Sequence, residues 1–270
     1  WKKMDAFGRH YIINKRYCIC SNCNLVYTNP TVNSKVFDNL YSSAIVGSVF
    51  DNESKKHRLK IEYFKKICKS YIKKNFSFLD IGSGNATLLK FLSKNYDIKK
   101  RNLYGIEPSK PIYKKFKKNN FFKLYNSFLD NFNPRKKFDF LILDNVFEHF
   151  DFPNKSLDKL HKLLKNNGFI YISVPNVKAI RFTQGDPFNH TCNYNFSTLR
   201  VLLNNKNFKV IKKSFDNKLI NLLVVKNNNT KEKFRSNPSF IKFMHEQIKK
   251  INKDKKKLKN RLKKLRDKII

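Results

Sequence analysis

The stretch FLDIGSGNATLL, from Phe78 to Leu89, constrains this chain's fold more than any other segment. An apolar run ends in an acid, Asp80, and a turn through Gly82, Ser83, Gly84, Asn85 and Ala86 opens into a helical pattern. Glycine adopts positive φ and lets a ligand or a second backbone approach where a Cβ would collide. Strand, glycine turn and helix in that order place a ligand at the carboxyl end of the strand, beside the helix N-terminus. The spacing is GxGxA, so the motif by itself also reads as a tight strand–helix turn without a ligand.

A second feature strengthens the ligand reading. Tyr104-Gly105-Ile106-Glu107 is another apolar run ending in an acid, 25 residues after Gly82. An acid at the end of the next strand can accept both ribose hydroxyls of a bound nucleoside. Around these motifs, from about residue 56 to 228, short apolar runs alternate with helical patterns, which predicts an α/β fold with a mainly parallel sheet. The strands read Phe76–Ile81, Leu103–Glu107, Phe122–Tyr125, Phe138–Asp144 and Gly168–Val174. Helices read Thr87–Lys94, Ser109–Lys118, Lys155–Lys165 and Ser197–Asn205. Two last strands, Phe208–Phe215 and Leu219–Lys226, meet at Asp216–Asn217, a turn tight enough for an antiparallel hairpin.

Of 270 residues, 40% are hydrophobic, enough for a large core, so a disordered chain is excluded. No apolar run approaches the ~18 residues that a membrane span requires. The N-terminus, beginning at Trp1, shows no secretory-signal pattern. The formal charge of +38 would ordinarily point to nucleic acid or anionic lipid. Only 10 of the 58 basic residues are Arg, however, and Lys, Asn, Ile, Phe and Tyr are all abundant. Phosphate and base recognition favours Arg for its bidentate fork. The charge therefore reads as compositional drift over solvated faces, and a nucleic-acid partner is not expected. Five Cys without a secretory signal suit a reducing cytoplasm.

Together these motifs resemble class I S-adenosylmethionine-dependent methyltransferases, in particular the bacterial group acting on small molecules, sugars and cell-surface glycans. The resemblance spans about residues 20 to 228. FLDIGSGNAT is similar to the first cofactor motif, and YGIEPS to the ribose-binding segment. FDFLILDNVFEHFDFP resembles the fourth-strand block, and KLLKNNGFIYISVPN the fifth. NHTCNYNFSTLRVLLNNKNFKVI resembles the His-aromatic-Ser segment before the last helix. Ala86 at the third small position and Asn207 before Phe208 depart from the pattern. The resemblance implies a Rossmann-like seven-stranded sheet whose last strand is antiparallel. It also implies that Asp80 and Gly82, Ser83, Gly84, Asn85 and Ala86 hold the amino-acid end of S-adenosylmethionine. Glu107 would hold the ribose, Ser127 and Phe128 would flank the adenine, and Asp144, Asn145 and Val146 would line the pocket.

A hydroxyl acceptor needs a base. The candidates are His149, after the fourth strand, and His190, in a polar, aromatic-rich loop, and either could instead be structural. No Asn/Asp-Pro-Pro-aromatic segment follows the fourth strand, which argues against adenine N-methylation.

The N-terminal segment, 1–55, contains Cys20-Ser21-Asn22-Cys23, which resembles half of a zinc ribbon. A closed zinc site needs four ligands, so Cys20 and Cys23 are either a half-site, with Cys18 and His10 as stand-ins at an unusual spacing, or free thiols. The C-terminal segment, 231–270, is a basic helix with apolar residues at steps of three and four from Ile241 to Ile269, interrupted at Lys255. It suits a coiled coil that makes a homo-oligomer, a helix packed on its own domain, or a helix lying on the anionic inner face of a membrane.

The leading expectation is methyl transfer from S-adenosylmethionine to a hydroxyl of a sugar, glycan or lipid-linked intermediate. An RNA or protein methyltransferase gripping its substrate with the basic tail is one alternative. An inactive cofactor-binding scaffold acting through its coiled coil is the other.

Overall fold

The computed structural model describes residues 2–4, 10–12, 16–29, 31, 54–179, 190–216, 218–227, 237–247 and 249. Near the N-terminus, β1 (Lys2–Met4) pairs with β2 (His10–Ile12), and β3 (Tyr17–Ile19) pairs with β4 (Val26–Thr28), both antiparallel. After helix α1 (Ser54–Cys68) come β5 (Phe78–Ile81), α2 (Thr87–Tyr96), β6 (Leu103–Ile106), α3 (Lys110–Phe116) and β7 (Lys123–Tyr125). The chain continues through β8 (Phe138–Asp144), α4 (Pro153–Leu163), β9 (Leu164–Pro175), β10 (Cys192–Asn193), α5 (Phe196–Asn205), β11 (Phe208–Phe215) and β12 (Leu219–Lys226).

The main sheet has seven strands in the order β11-β12-β9-β8-β5-β6-β7. β5 through β9 run parallel, and β12 runs antiparallel to both of its neighbours. The Rossmann-like sheet with its C-terminal antiparallel hairpin is thus as the sequence implied. From β5 the chain first extends the sheet through β6 and β7, then crosses back to β8 on the other side. This reversal makes the carboxyl ends of β5 and β8 a topological switch point, where open α/β sheets bind ligands.

The central strands are buried on both faces, which is why they read as continuous apolar runs. Their side chains still alternate. Leu141 and Leu143 of β8 join the cluster capped by Leu157, Leu160 and Leu163 of α4 and Leu199 and Leu203 of α5. Phe140 and Ile142 face the other way, toward Phe64 and Ile67 of α1 and Leu88, Leu89 and Leu92 of α2. Phe64 is fully buried and meets Tyr171 edge to face at 5.1 Å, so α1 is anchored by a side chain whose burial contributes roughly 2–3 kcal/mol.

The fifth-strand region differs from expectation. The helix predicted over Lys155–Lys165 ends at Leu163, and β9 starts at Leu164 rather than Gly168. Leu164 pairs across the sheet with Phe138, and the Lys165 ammonium sits 2.8 Å from Asp139, which draws this stretch into the ladder.

β10 pairs antiparallel with β4, adding residues 192–193 to the small β3–β4 sheet. A helix over 238–247 sets Met244 against Val26 and Val177 in a small apolar cluster. The coiled coil and homo-oligomer expected from Ile241 to Ile269 fall mostly outside the described residues. Among the described residues no helix is long and apolar enough to cross a membrane.

Candidate active site

Three strand ends build the site. At the end of β5, Gly82 and Gly84 take φ of 65° and 53°, and Ala86 takes 56° before α2 begins. A Cβ on Gly82 would stand 2.7 Å from Cγ2 of Val146, so only glycine lets the turn lie against the end of β8. Ala86, the departure from the family pattern, nonetheless holds the left-handed conformation that a third glycine would adopt. That conformation costs an L-residue about 1 kcal/mol. The Ala86 N–H donates to the Ser83 carbonyl at 2.7 Å, which fixes the turn.

At the end of β6, Glu107 is buried and its carboxylate accepts from the N–H of Gly84 (2.8 Å) and of Ser109 (2.8 Å). These bonds tie the glycine turn to the second acid and orient the carboxylate. Each oxygen keeps a further lone pair for a ribose hydroxyl. Burial raises the Glu107 pKa, with the Ser109 and Gly84 N–H groups acting against it. Asn126, just past β7, donates through its amide to the carbonyls of Glu107 (2.8 Å) and Pro108 (3.0 Å). This brings the neighbouring Ser127 and Phe128 loop beside Glu107, and the Phe128 ring remains exposed.

At the end of β8, Asp144 is buried and pairs with Lys60 of α1, Nζ to Oδ2, at 2.6 Å. Asn145 turns the chain with φ 54°, its N–H donating to the Ser173 carbonyl. Burial pushes the Asp80 carboxyl up to about 7, with Lys60 pulling it down and Glu107 pushing it further up. α1 contributes a second contact to the glycine turn: the Asn85 amide donates to Nε2 of His57. His57, Lys60 and Asn126 were not anticipated. The signal for α1 was present in Ile61, Phe64 and Ile67 at helical spacing, but nothing local placed that helix over the strand ends.

The predicted cofactor residues thus converge on the switch point, with Ser127 and Phe128 one strand further on. A held acid with open lone pairs and a buried Ser83 hydroxyl without a hydrogen-bond partner both fit S-adenosylmethionine.

Beyond Val146 a single 3-10 turn, Phe147–His149, carries Glu148 and His149. The Glu148 carbonyl accepts from the Thr191 N–H (3.0 Å) and Oγ (3.2 Å), which pins the 190–192 segment to this turn. His149 and His190, 41 residues apart, therefore meet with ring centroids 4.9 Å apart. Nε2 of His190 lies 3.9 Å and that of His149 4.0 Å from Oε1 of Glu148. Glu148 is buried, and burial pushes its carboxyl up to about 8.

Cys20 and Cys23 bracket the β3–β4 turn, and Cys18 lies on β3. Burial raises the Cys23 thiol; at Cys20 burial acts the same way but hydrogen bonds from Cys23 and Asn22 outweigh it and lower the thiol. Among the described residues, the group of three or more potential metal ligands is Glu148, His149 and His190, and it includes neither cysteine.

Solved methyltransferases share this architecture. The plantazolicin methyltransferase BpumL, in complex with a pentazolic desmethylPZN analog and SAH, is 20% identical with a TM-score of 0.55, covering 72% of this chain and 97% of its own. The 1,6-didemethyltoxoflavin-N1-methyltransferase of Burkholderia thailandensis is 12% identical with a TM-score of 0.54, covering 80% and 100%. A possible histamine N-methyltransferase of Thermotoga maritima is 15% identical with a TM-score of 0.52, covering 67% and 98%. None of the curated proteins matches. Fold and site together define a class I methyltransferase. Residues 53–213 match the family described as "Methyltransferase domain" (Methyltransf_23), and the chain belongs to that family of S-adenosylmethionine-dependent enzymes.

Proposed function

We propose that this enzyme methylates a hydroxyl of a small-molecule acceptor, of the sugar, glycan or lipid-linked class. The observation that carries the reading is the meeting of Glu148, His149 and His190 one turn beyond the cofactor-facing end of β8. S-adenosylmethionine, when bound, supplies a methyl on a sulfonium whose C–S bond breaks as the acceptor bond forms, the electron pair returning to sulfur. Asp80 and the Gly82–Ala86 turn hold the amino-acid end, Glu107 the ribose, and Ser127 and Phe128 the adenine side. Asp144, Asn145 and Val146 wall the pocket toward the acceptor. A neutral hydroxyl is a poor nucleophile, so the chain has to activate the oxygen and dispose of its proton. The cluster of one carboxylate and two imidazoles is placed to do that. An amine acceptor would need far less.

Labelled methyl transfer to panels of sugars, glycan fragments, amines and RNA tests the reading. Sugar-type acceptors should take up label, and H149A or H190A should lower turnover by ~10²-fold or more. Labelling confined to amines or RNA would contradict it.

A further inference from the structure

We infer that Glu148, His149 and His190 form a binding site for a divalent transition-metal cation at the acceptor end of the pocket. Glu148 is only 2% exposed, and neither of its carboxylate oxygens has a hydrogen-bond partner. Leaving such a group unpaired in the interior is costly. The two ring nitrogens face Oε1 at 3.9 and 4.0 Å, too long for hydrogen bonds, so the three groups point at a shared space without satisfying one another. A cation between them would give the Glu148 carboxylate the partner it lacks, with the two imidazoles as further ligands.

The donor set and spacing suit this occupant. Two imidazoles and one carboxylate suit zinc, cobalt, manganese or iron rather than magnesium or calcium. Metal–ligand bonds of about 2.1 Å put neighbouring ligands roughly 3.4 Å apart in tetrahedral geometry. The two His–Glu separations therefore need to shorten by about half an ångström each, and all three ligand atoms already lie within 4.8 Å of one another. Three protein ligands leave a position open, the pattern of a catalytic rather than a structural site. The rings of His149 and His190 are 22% and 12% exposed, which leaves an entry path. The Thr191 bonds to the Glu148 carbonyl hold the two ligand-bearing segments in place independently of any ion.

This inference rests on the proposed acceptor end of the pocket and changes the part that the rings play there. A nitrogen bound to a cation cannot also accept a proton. The acceptor oxygen would instead become the fourth ligand, where the cation lowers its pKa. Its O–H bond breaks toward solvent water, and the resulting alkoxide forms the C–O bond as the C–S bond of the donor breaks.

The test is titration of the tag-free full chain with Co2+, followed by its visible ligand-field bands and by Zn2+ displacement, with no donor or acceptor present. We expect one Co2+ per chain, binding at least ten-fold weaker in E148Q and in H190Q, and unchanged in a C20S/C23S variant. Circular dichroism establishes that each variant is folded. Absence of stoichiometric binding would overturn the inference, as would wild-type affinity in folded E148Q and H190Q. Because the readout needs no methyl transfer, its failure is separate from failure of the hydroxyl-methylation reading.

Discussion

The Lys60 ammonium and the Asp144 carboxylate, 2.6 Å apart, join the first helix to the end of the central strand β8. The same cation draws down the raised pKa of Asp80. One residue on α1 thus offsets the charge of two buried acids at the switch point. Removing one partner of a buried pair leaves the other uncompensated. K60M should destabilise the protein by about 2–4 kcal/mol in urea unfolding, and D144N in the same chain should restore part of that loss. A K60M variant as stable as wild type would show the pair to be incidental.

Glu107 accepts from Gly84 and Ser109, and its remaining lone pairs are proposed to take the ribose hydroxyls. E107A should weaken S-adenosylmethionine binding by about 1–3 kcal/mol in calorimetry. Unchanged affinity would remove the ribose assignment.

Asp80 and Glu148, at about 7 and about 8, predict how stability varies with pH. Both folded-state values lie above the unfolded ones, 3.8 and 4.5. The folded chain therefore keeps protons that the unfolded chain has released. The resulting stability is full below about pH 4 and is lost as pH rises through 7 and 8, at up to about 1.4 kcal/mol per pH unit for each group. Urea midpoints should fall from pH 5 to pH 8, and the fall should be shallower in D80N and in E148Q. A flat profile in the wild-type chain would contradict the burial of these acids.

How much of this was legible in the sequence follows from the range of each interaction. The glycine turn, Glu107 and the cores of the doubly buried strands are local patterns and lie where the sequence put them, while the start of β9 moves from Gly168 to Leu164. Lys60 and His57 act across long sequence separations, and in a chain with 58 basic residues one more lysine carries no signal. In the sequence Glu148 carries no mark beyond standing next to His149. Only the Thr191 bonds to its carbonyl, which bring His190 alongside, reveal it as part of a cluster. The N-terminal segment looked separate because its pairing with Cys192 and Asn193 joins residues more than 160 positions apart.

Met244 is fully buried against Val26 and Val177, so the start of the C-terminal helix packs on its own chain. The apolar steps that continue to Ile269 lie mostly outside the described residues, and we expect them to form a coiled coil between copies. A chain ending at Gln247 should then be a folded monomer in light scattering and the full chain a dimer or larger. A full chain that stays monomeric across a concentration series would refute the coiled coil.

The atom that receives the methyl group distinguishes hydroxyl methylation from every other reading of the site. Transfer from S-adenosylmethionine carrying a 13C-labelled methyl, followed by NMR of the purified product, identifies that atom directly. A methyl on a hydroxyl oxygen is the expected result. A methyl on nitrogen or carbon would contradict it.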